Sequence, residues 1–346
     1  MTPWGTRNAA RPAAPQRDLS YSDSTMTGSA YASRPRAGLQ ISGVTAIVKP
    51  YLTYAEQVAL LCSRGMSITD EDRAIATLRT VNYYRLSGYW YPFRQITNGA
   101  RADQFYPGTD FDDVVSLYRF DEHLRVATFS ALGTVELAIR SLLGHELGRV
   151  DPLAHLNPNL LGARARTGNS YGKWLGKFNK AVTDSPESFV DHHKTNYAGI
   201  LPVWAAIEVM DWGALTYLYG FAPNPVRDAV AAATGLTSPQ LESWLKALNA
   251  VRNTCAHHGR LFNRVHALSP KLSAAGLFPE LDSATTEWNR TFSRLTMIQF
   301  LLAQLQIGNI RLLPAVVNSY PAVKVLPISH MGAPLNWKTA TALWSA

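Results

Sequence analysis

The residues best suited to chemistry lie together at the end of one apolar segment. From residue 252 the chain reads Arg-Asn-Thr-Cys-Ala-His-His-Gly-Arg, which places Arg252, Asn253, His257 and His258 close together. Buried charge is costly unless it is paired, so a polar cluster beside apolar positions needs a reason. RNA cleavage supplies one. A base must remove the proton of the 2′-OH, an acid must protonate the leaving 5′-oxygen, and a cation must stabilise the phosphate.

Each of these residue types matches one of those tasks. Histidine suits proton transfer because its ordinary pKa is near 6.5. Arginine binds two phosphate oxygens through its planar fork, and the Asn253 amide orients either group. On a continuous helix Arg252 and His257 would lie about 140° apart. They converge only if the helix ends near Ala256 or if a second copy of the chain supplies the partner residue, and Gly259 is well placed to end the helix.

The same pattern has a purely structural interpretation. Arg252 would then cap a neighbouring helix, and the histidines would be polar surface. A second arginine precedes a histidine by five positions at Arg140 and His145. We interpret that copy as structural, because Glu136 and Arg140 have ion-pair spacing on one helix.

Glu208 is the candidate supporting residue for the site. It lies one helical turn after Trp204 in the segment that precedes the motif helix. We expect its carboxylate either to pair with Arg252 or a motif histidine, or to face solvent on the helix surface.

The surrounding segments predict an all-α fold. Thr53 and Glu56 have capping-box spacing ahead of a first helix, and Asp70 opens a second helix that extends to about Arg85. The longest periodic segment follows Asp110, from Phe111 to about Leu147. Prolines mark further helix starts at Pro186, Pro202 and Pro239. The remaining predicted helices cover 201–220, 239–256, which carries the motif, and 283–306.

The two ends of the chain have different patterns. Residues 1–46 are rich in Ser, Arg, Ala, Pro and Gly and lack apolar periodicity, which predicts a disordered tail; residues 47–346 form the predicted helical domain. From Leu313 a Pro-rich segment predicts an extended C-terminal tail. The aromatic run 82–93 has two interpretations, base stacking or a packed corner between helices.

Bulk composition narrows the class of protein. The net charge of +8 favours a polyanionic partner such as RNA or DNA, or an anionic membrane surface. Two separate cysteines exclude a disulfide framework and a Cys/His zinc pattern. We find no secretory signal and no apolar run long enough to cross a bilayer. We therefore expect no metal, no cofactor, no membrane partner and a cytoplasmic location.

Several blocks in order resemble the Abi-like (abortive-infection) family of the HEPN superfamily. The resemblance covers residues 49–345. The blocks that carry it are Tyr51–Gln57, Asn82–Tyr89, Glu136–Arg140, Leu201–Met210, Arg252–Leu261 and His330–Trp337.

The resemblance implies a HEPN-like helical bundle and a metal-independent endoribonuclease of bacterial phage defence. By position, Arg252 would stabilise the phosphate, Asn253 would hold the geometry and His257 would transfer protons. His258 is left open, because the motif spacing varies in the superfamily. Such sites commonly form between two units, so a single motif implies a homodimer with a composite site, unless Arg140 and His145 mark a degenerate second unit. The implied partners are RNA and a phage trigger or an antitoxin. Gly259 stands where some related toxins carry a tyrosine that a partner enzyme modifies, which argues against that mode of neutralisation.

Two other functions remain open from the sequence. A non-catalytic RNA-binding or sensor protein needs the positive charge and the aromatic residues but no proton-transfer groups. A structural dimerisation protein would use the polar cluster only to hold helices together.

Overall fold

The computed structural model describes residues 40–41, 44–45 and 49–345. Fourteen α-helices lie in this part of the chain, with two short pairs of strands, in agreement with the predicted all-α class. The helices are α1 Tyr54–Ser63, α2 Glu71–Thr80, α3 Tyr83–Trp90, α4 Phe111–Val150, α5 Ala163–Arg166, α6 Ser170–Asp184, α7 Ser188–Asn196, α8 Val203–Ala206, α9 Trp212–Phe221, α10 Asn224–Ala232, α11 Ser238–Ala256, α12 Pro279–Asp282, α13 Thr291–Leu305 and α14 Leu312–Asn318. The strands are β1 Gln40–Ile41, β2 Val44–Thr45, β3 Arg94–Thr97 and β4 Ala100–Phe105.

The 40-residue helix α4 is the central element of the compact unit Leu52–Ala346. Asp110 caps its first turn by accepting a hydrogen bond from the Asp112 amide, and two acids lie at its positive end. Helices α3, α8, α9, α10, α11, α13 and α14 pack against it. An 18-residue window of α4 is long and apolar enough to cross a membrane by length and composition alone, in contrast to the expectation that the chain has no such apolar run. The same helix carries the buried ion pair of Asp121 and Arg125 within the core.

The hairpin β3–β4 was not expected from the scarce strand signals. Its strands pair antiparallel across a turn at Asn98 and Gly99, which have φ angles of 53° and 76°. Asn-Gly is the pair that a two-residue hairpin turn with two positive φ angles prefers. The turn residues were therefore a usable signal in the sequence.

Three predicted helices differ in their bounds. The second predicted helix is split, because α2 ends at Thr80 and the Asn82 side chain caps α3. The segment 201–220 is also split. After α8 comes a short 3-10 turn, and the Asp211 side chain then caps α9 by accepting from the Ala214 amide. The last long helix begins only at Thr291.

The C-terminal segment is only partly the extended tail that the sequence predicted. It contains α14 and then irregular chain that packs into the core through Leu326, Met331 and Trp344. The Trp344 ring stacks on Phe292 with ring centroids 4.5 Å apart. The apolar residues of this segment are therefore part of the core, although they lack helical periodicity.

Most of the predicted tail, residues 1–46, lies outside the described residues. The described part is the antiparallel pair β1–β2, in which Gln40 lies opposite Thr45 and Ile41 opposite Val44.

Candidate functional site

Helix α11 carries the motif at its C-terminal end. Thr237 and Gln240 form a capping box at its start, and Pro239 lies in its first turn. Its buried face follows the predicted positions from Leu241 to Cys255. The Trp212 indole donates to the Leu245 carbonyl at 3.0 Å and attaches α9 to the middle of this helix. The helix ends at Ala256, as the sequence predicted.

The chain leaves α11 through a closed turn centred on His258. The His258 amide donates to Cys255 at 3.1 Å and the Gly259 amide to Thr254 at 2.8 Å, which is the Schellman pattern. His258, with φ of 54°, occupies the left-handed position that glycine usually fills. The prediction that Gly259 ends the helix is therefore wrong by one residue.

Gly259 has a different role in this turn. A Cβ at this position would lie 3.0 Å from Thr254 Cγ2 and 3.2 Å from the Thr254 carbonyl oxygen. The absence of a side chain therefore lets the chain fold back closely on the last turn of α11.

A buried carboxylate anchors the residues that follow the motif. Asp121 of α4 is fully buried and accepts hydrogen bonds from the Leu261 and Phe262 amides, the latter at 2.8 Å. It also accepts from the Tyr89 hydroxyl at 2.6 Å and pairs with Arg125 at 2.5 Å. Sequence reasoning missed this residue. The available signal was an acid and an arginine four residues apart on the apolar face of the long helix.

Two arginines tie the closing turn to α3. Arg85 donates to the His258 carbonyl at 2.5 Å, and its guanidinium lies over the Tyr118 ring. Arg260 donates to the Gly88 carbonyl. In the aromatic run 82–93, the side chains of Tyr89, Trp90 and Phe93 are buried. This run is therefore mainly a packed corner between helices.

Arg252 lies half-buried beside α4, with its guanidinium 5.3 Å from the centre of the Phe129 ring. Its buried Nε has no hydrogen-bond partner among the described residues. Asn253 is exposed on the last turn of α11, and His257 and His258 are exposed on the turn that follows. No hydrogen bond among the described residues joins these four side chains. The structure thus brings them to one helix end without locking them together.

A groove opens beside the closing turn. Its volume is about 660 Å³, and its lining includes Tyr91, Arg260, Asn263 and Arg264. The Tyr91 ring lies 5.6 Å below the Arg101 guanidinium. The buried Oδ1 of Asn263 has no partner among the described residues. Cations beside an exposed aromatic ring suit the backbone and bases of single-stranded nucleic acid.

Glu208 does not pair with Arg252 or with a motif histidine. Its carboxylate lies 4.0 Å from Nη1 of Arg140, and that arginine also donates to the Ile207 and Glu208 carbonyls and to Glu136. Arg140 is thus a buried structural cation, as the ion-pair spacing predicted. Glu208 therefore belongs to the neighbourhood of Arg140 and His145.

Burial sets the ionisation of the nearby thiol and of two core histidines. It raises the pKa of the Cys255 thiol to about 12, so this residue stays a neutral thiol at pH 7. It lowers the pKa of His155 and of His266 to about 4. Within the described chain no group of three or more His, Cys, Asp or Glu side chains has an arrangement that would hold a metal ion.

The comparisons place the chain in one family. The sequence model of the Abi-like protein family matches residues 76–263, which is more than half of the chain. This range includes Asp121, helix α11 and its closing turn. No curated protein sequence and no solved structure matches the chain. By that match the chain belongs to the Abi-like protein family, a family of abortive-infection phage defence.

Proposed function

We propose that this chain is a metal-independent endoribonuclease of bacterial abortive infection, with its site at Arg252, Asn253 and His257. The observation that carries the proposal is the end of α11. Two exposed histidines stand there beside an arginine whose guanidinium has no carboxylate or carbonyl partner among the described residues. A purely structural arginine is normally paired, as Arg140 and Arg125 are.

The proposed reaction needs only groups that this chain supplies. His257 takes the proton of a ribose 2′-OH, and the 2′-oxygen attacks the adjacent phosphorus. The bond from phosphorus to the 5′-oxygen breaks, and that oxygen takes a proton from a histidine. The products are a 2′,3′-cyclic phosphate and a 5′-hydroxyl end. Arg252 binds the phosphate oxygens while the charge develops, Asn253 orients the groups, and His258 is the second candidate for proton transfer.

The surface around the turn supports RNA as the substrate. Arg260, Arg264 and Tyr91 line the adjoining groove, and the chain carries a net charge of +8. Because binding through phosphate contacts weakens with salt, RNA affinity should fall steeply as ionic strength rises. Access to cellular RNA places the proposed activity in the cytoplasm, where a phage trigger or an antitoxin would control it.

A second copy of the chain completes the proposed site. An exposed apolar row runs along α4 and consists of Val126, Phe129 and Leu137. The Arg252 guanidinium lies over the Phe129 ring. Exposed apolar rows of this kind mark protein interfaces. A homodimer across this row would bring two copies of the motif together, so that each of two sites takes its arginine from one copy and its histidine from the other.

The test is cleavage of total RNA by purified protein in EDTA. We expect wild type to leave 2′,3′-cyclic phosphate ends, Arg252→Ala and His257→Ala to be inactive, and the matched variant His192→Ala, an exposed histidine of α7, to keep full activity. Cleavage retained in both motif variants would overturn the proposal. Salt-sensitive binding without any product from wild type would favour the non-catalytic RNA-binding alternative.

The composite site has its own test. Arg252→Ala and His257→Ala protomers are mixed and allowed to exchange. After random exchange, half of the dimers contain one protomer of each variant. If each site takes its arginine from one copy and its histidine from the other, every mixed dimer has one intact site out of two. The mixture then recovers about one quarter of wild-type activity. No recovery despite exchange would show that each site lies within one chain.

A further inference from the structure

A second cavity lies further along α4, away from the motif. Its volume is about 480 Å³, and Ser141, His145, Arg149, Trp204 and Glu208 are among the residues that line it. This volume lies in the range of small-molecule sites. Nothing in the proposed cleavage chemistry uses these side chains.

Trp204 forms a flat wall of this cavity. Trp204 is 53% exposed, although it lies where α8 packs on α4. A Cβ on Gly148 would lie 3.1 Å from Cε3 of the indole, and a Cβ on Gly144 would lie 3.4 Å from the Trp204 Cα. The two glycines therefore let the indole rest against α4. An indole held in this way is a ready stacking surface for a base.

Glu208 presents a carboxylate to the same cavity. Its side chain is 49% exposed and accepts no hydrogen bond from the described residues. Its backbone is held in place, because Arg140 donates to the Ile207 carbonyl at 2.6 Å and to the Glu208 carbonyl at 3.0 Å. The buried Arg140 Nε has no partner among the described residues. The carboxylate is thus positioned by the fold and open to a ligand.

Cationic and polar groups complete the lining. His145 is exposed, and Arg149 is 70% exposed with only a 3.4 Å contact to Glu146. An arginine this open suits the phosphate of a ligand. The cavity therefore combines an aromatic plane, a carboxylate and a cation.

We propose that this cavity binds a guanine nucleotide. Guanine has two adjacent N–H donors, N1–H and the N2 amino group, on its Watson–Crick edge, and a carboxylate accepts both. Adenine and cytosine place a ring-nitrogen acceptor next to their amino donor, and the single N–H of uracil lies between two carbonyls. Stacking on Trp204 holds the base, Glu208 selects guanine, and Arg149 with His145 faces the phosphate.

The nucleotide has two sources that share this chemistry, a free nucleotide or a guanosine within RNA. Phe129, which contacts Arg252, and His145 of the cavity are sixteen residues apart, which corresponds to about 24 Å along α4 and to faces about 160° apart. The cavity and Arg252 are therefore separate positions, and an RNA that reaches both must pass around this helix. A role in selecting RNA rests on the proposed function, whereas binding of the nucleotide does not.

The experiment is calorimetric titration of the full chain carrying His257→Ala, so that binding is measured without cleavage. We expect GMP to bind more tightly than AMP, CMP and UMP, and more tightly than IMP, which keeps N1–H but lacks the N2 amino group. Glu208→Gln should abolish the preference for GMP over IMP and AMP. Trp204→Leu should weaken GMP binding by about 10- to 100-fold.

Matched variants control for unspecific effects. Glu187→Gln changes an exposed glutamate elsewhere, and Tyr217→Leu changes an aromatic residue of similar exposure, 52%. Both should bind GMP as the parent does. Equal binding of all nucleotides, or unchanged selectivity in Glu208→Gln, would overturn the proposal.

A second arm separates the two sources. A uridine oligonucleotide with one guanosine is compared with an all-uridine oligonucleotide in the same His257→Ala background. RNA is the source if the guanosine increases the affinity for the oligonucleotide, if Glu208→Gln removes that increase, and if the guanosine oligonucleotide binds more tightly than GMP. GMP binding without such a gain identifies the free nucleotide. Absence of both effects rejects the site, whether or not the wild-type chain cleaves RNA.

Discussion

The buried carboxylate of Asp121 allows a quantitative prediction about the candidate site. Asp121→Asn keeps the size of the side chain but removes its charge. Arg125, which is only 4% exposed, then loses its carboxylate partner. The Tyr89 hydroxyl and the Leu261 and Phe262 amides all donate to the Asp121 carboxylate. In the variant at least one of these donors faces the NH₂ group of the asparagine, which cannot accept its hydrogen bond. Breaking a buried pair in this way costs about 3–5 kcal/mol of unfolding free energy.

The assay is urea denaturation together with calorimetry. For a chain of this size about 1 kcal/mol corresponds to roughly 1.5 °C, so Tm should fall by roughly 4–8 °C. Glu122→Gln, which changes the next residue of α4, should alter the free energy by less than about 0.5 kcal/mol. Asp121→Asn with Arg125→Met should be less damaging than the sum of the two single changes. Hydrogen exchange at the Leu261 and Phe262 amides should accelerate. A loss below about 1 kcal/mol with unchanged exchange would refute the anchoring role.

Three further predictions concern the closing turn and the core. His258→Gly should raise the unfolding free energy by up to about 1 kcal/mol, because relief of left-handed strain exceeds the chain entropy of glycine; a clear loss in urea denaturation would contradict this. Gly259→Ala should cost about 1–3 kcal/mol, because its Cβ meets Thr254 at 3.0 Å; an unchanged Tm would contradict the close packing. Burial lowers the pKa of His155 to about 4 from 6.5, so stability is full above pH 6.5 and falls between pH 6.5 and 4, where only the unfolded chain takes up the proton. At pH 5 the loss is about 2 kcal/mol, and His155→Leu should remove this share of the pH dependence in urea titrations; an unchanged pH profile would contradict the burial effect.

The fold class and the position of the motif could be predicted because their signals are local. Capping boxes at Thr53 and Thr237 and the apolar period of α4 and α11 depend on residues three or four positions apart. The sequence also predicts that the motif helix ends near Ala256. The Asn98-Gly99 turn was equally local, and its hairpin could have been predicted from the same kind of signal.

The partners of the charged residues depend on contacts between distant segments. Asp121 binds the amides of Leu261 and Phe262, about 140 positions further along the chain. Glu208 lies against Arg140 instead of Arg252, because α8 packs on the glycines of α4. No periodicity in the sequence records which of several carboxylates will meet a given arginine.

By itself, the sequence determined the helical class, the helix that carries the motif and the residue types gathered at its end. It did so through hydrogen bonds and apolar spacing that act within one or two helical turns. Only the tertiary structure decided that His258 rather than Gly259 takes the left-handed conformation, that Asp121 holds the following residues and that Trp204 and Glu208 share a cavity. Those outcomes depend on which surfaces pack together, and packing is settled by the whole core at once.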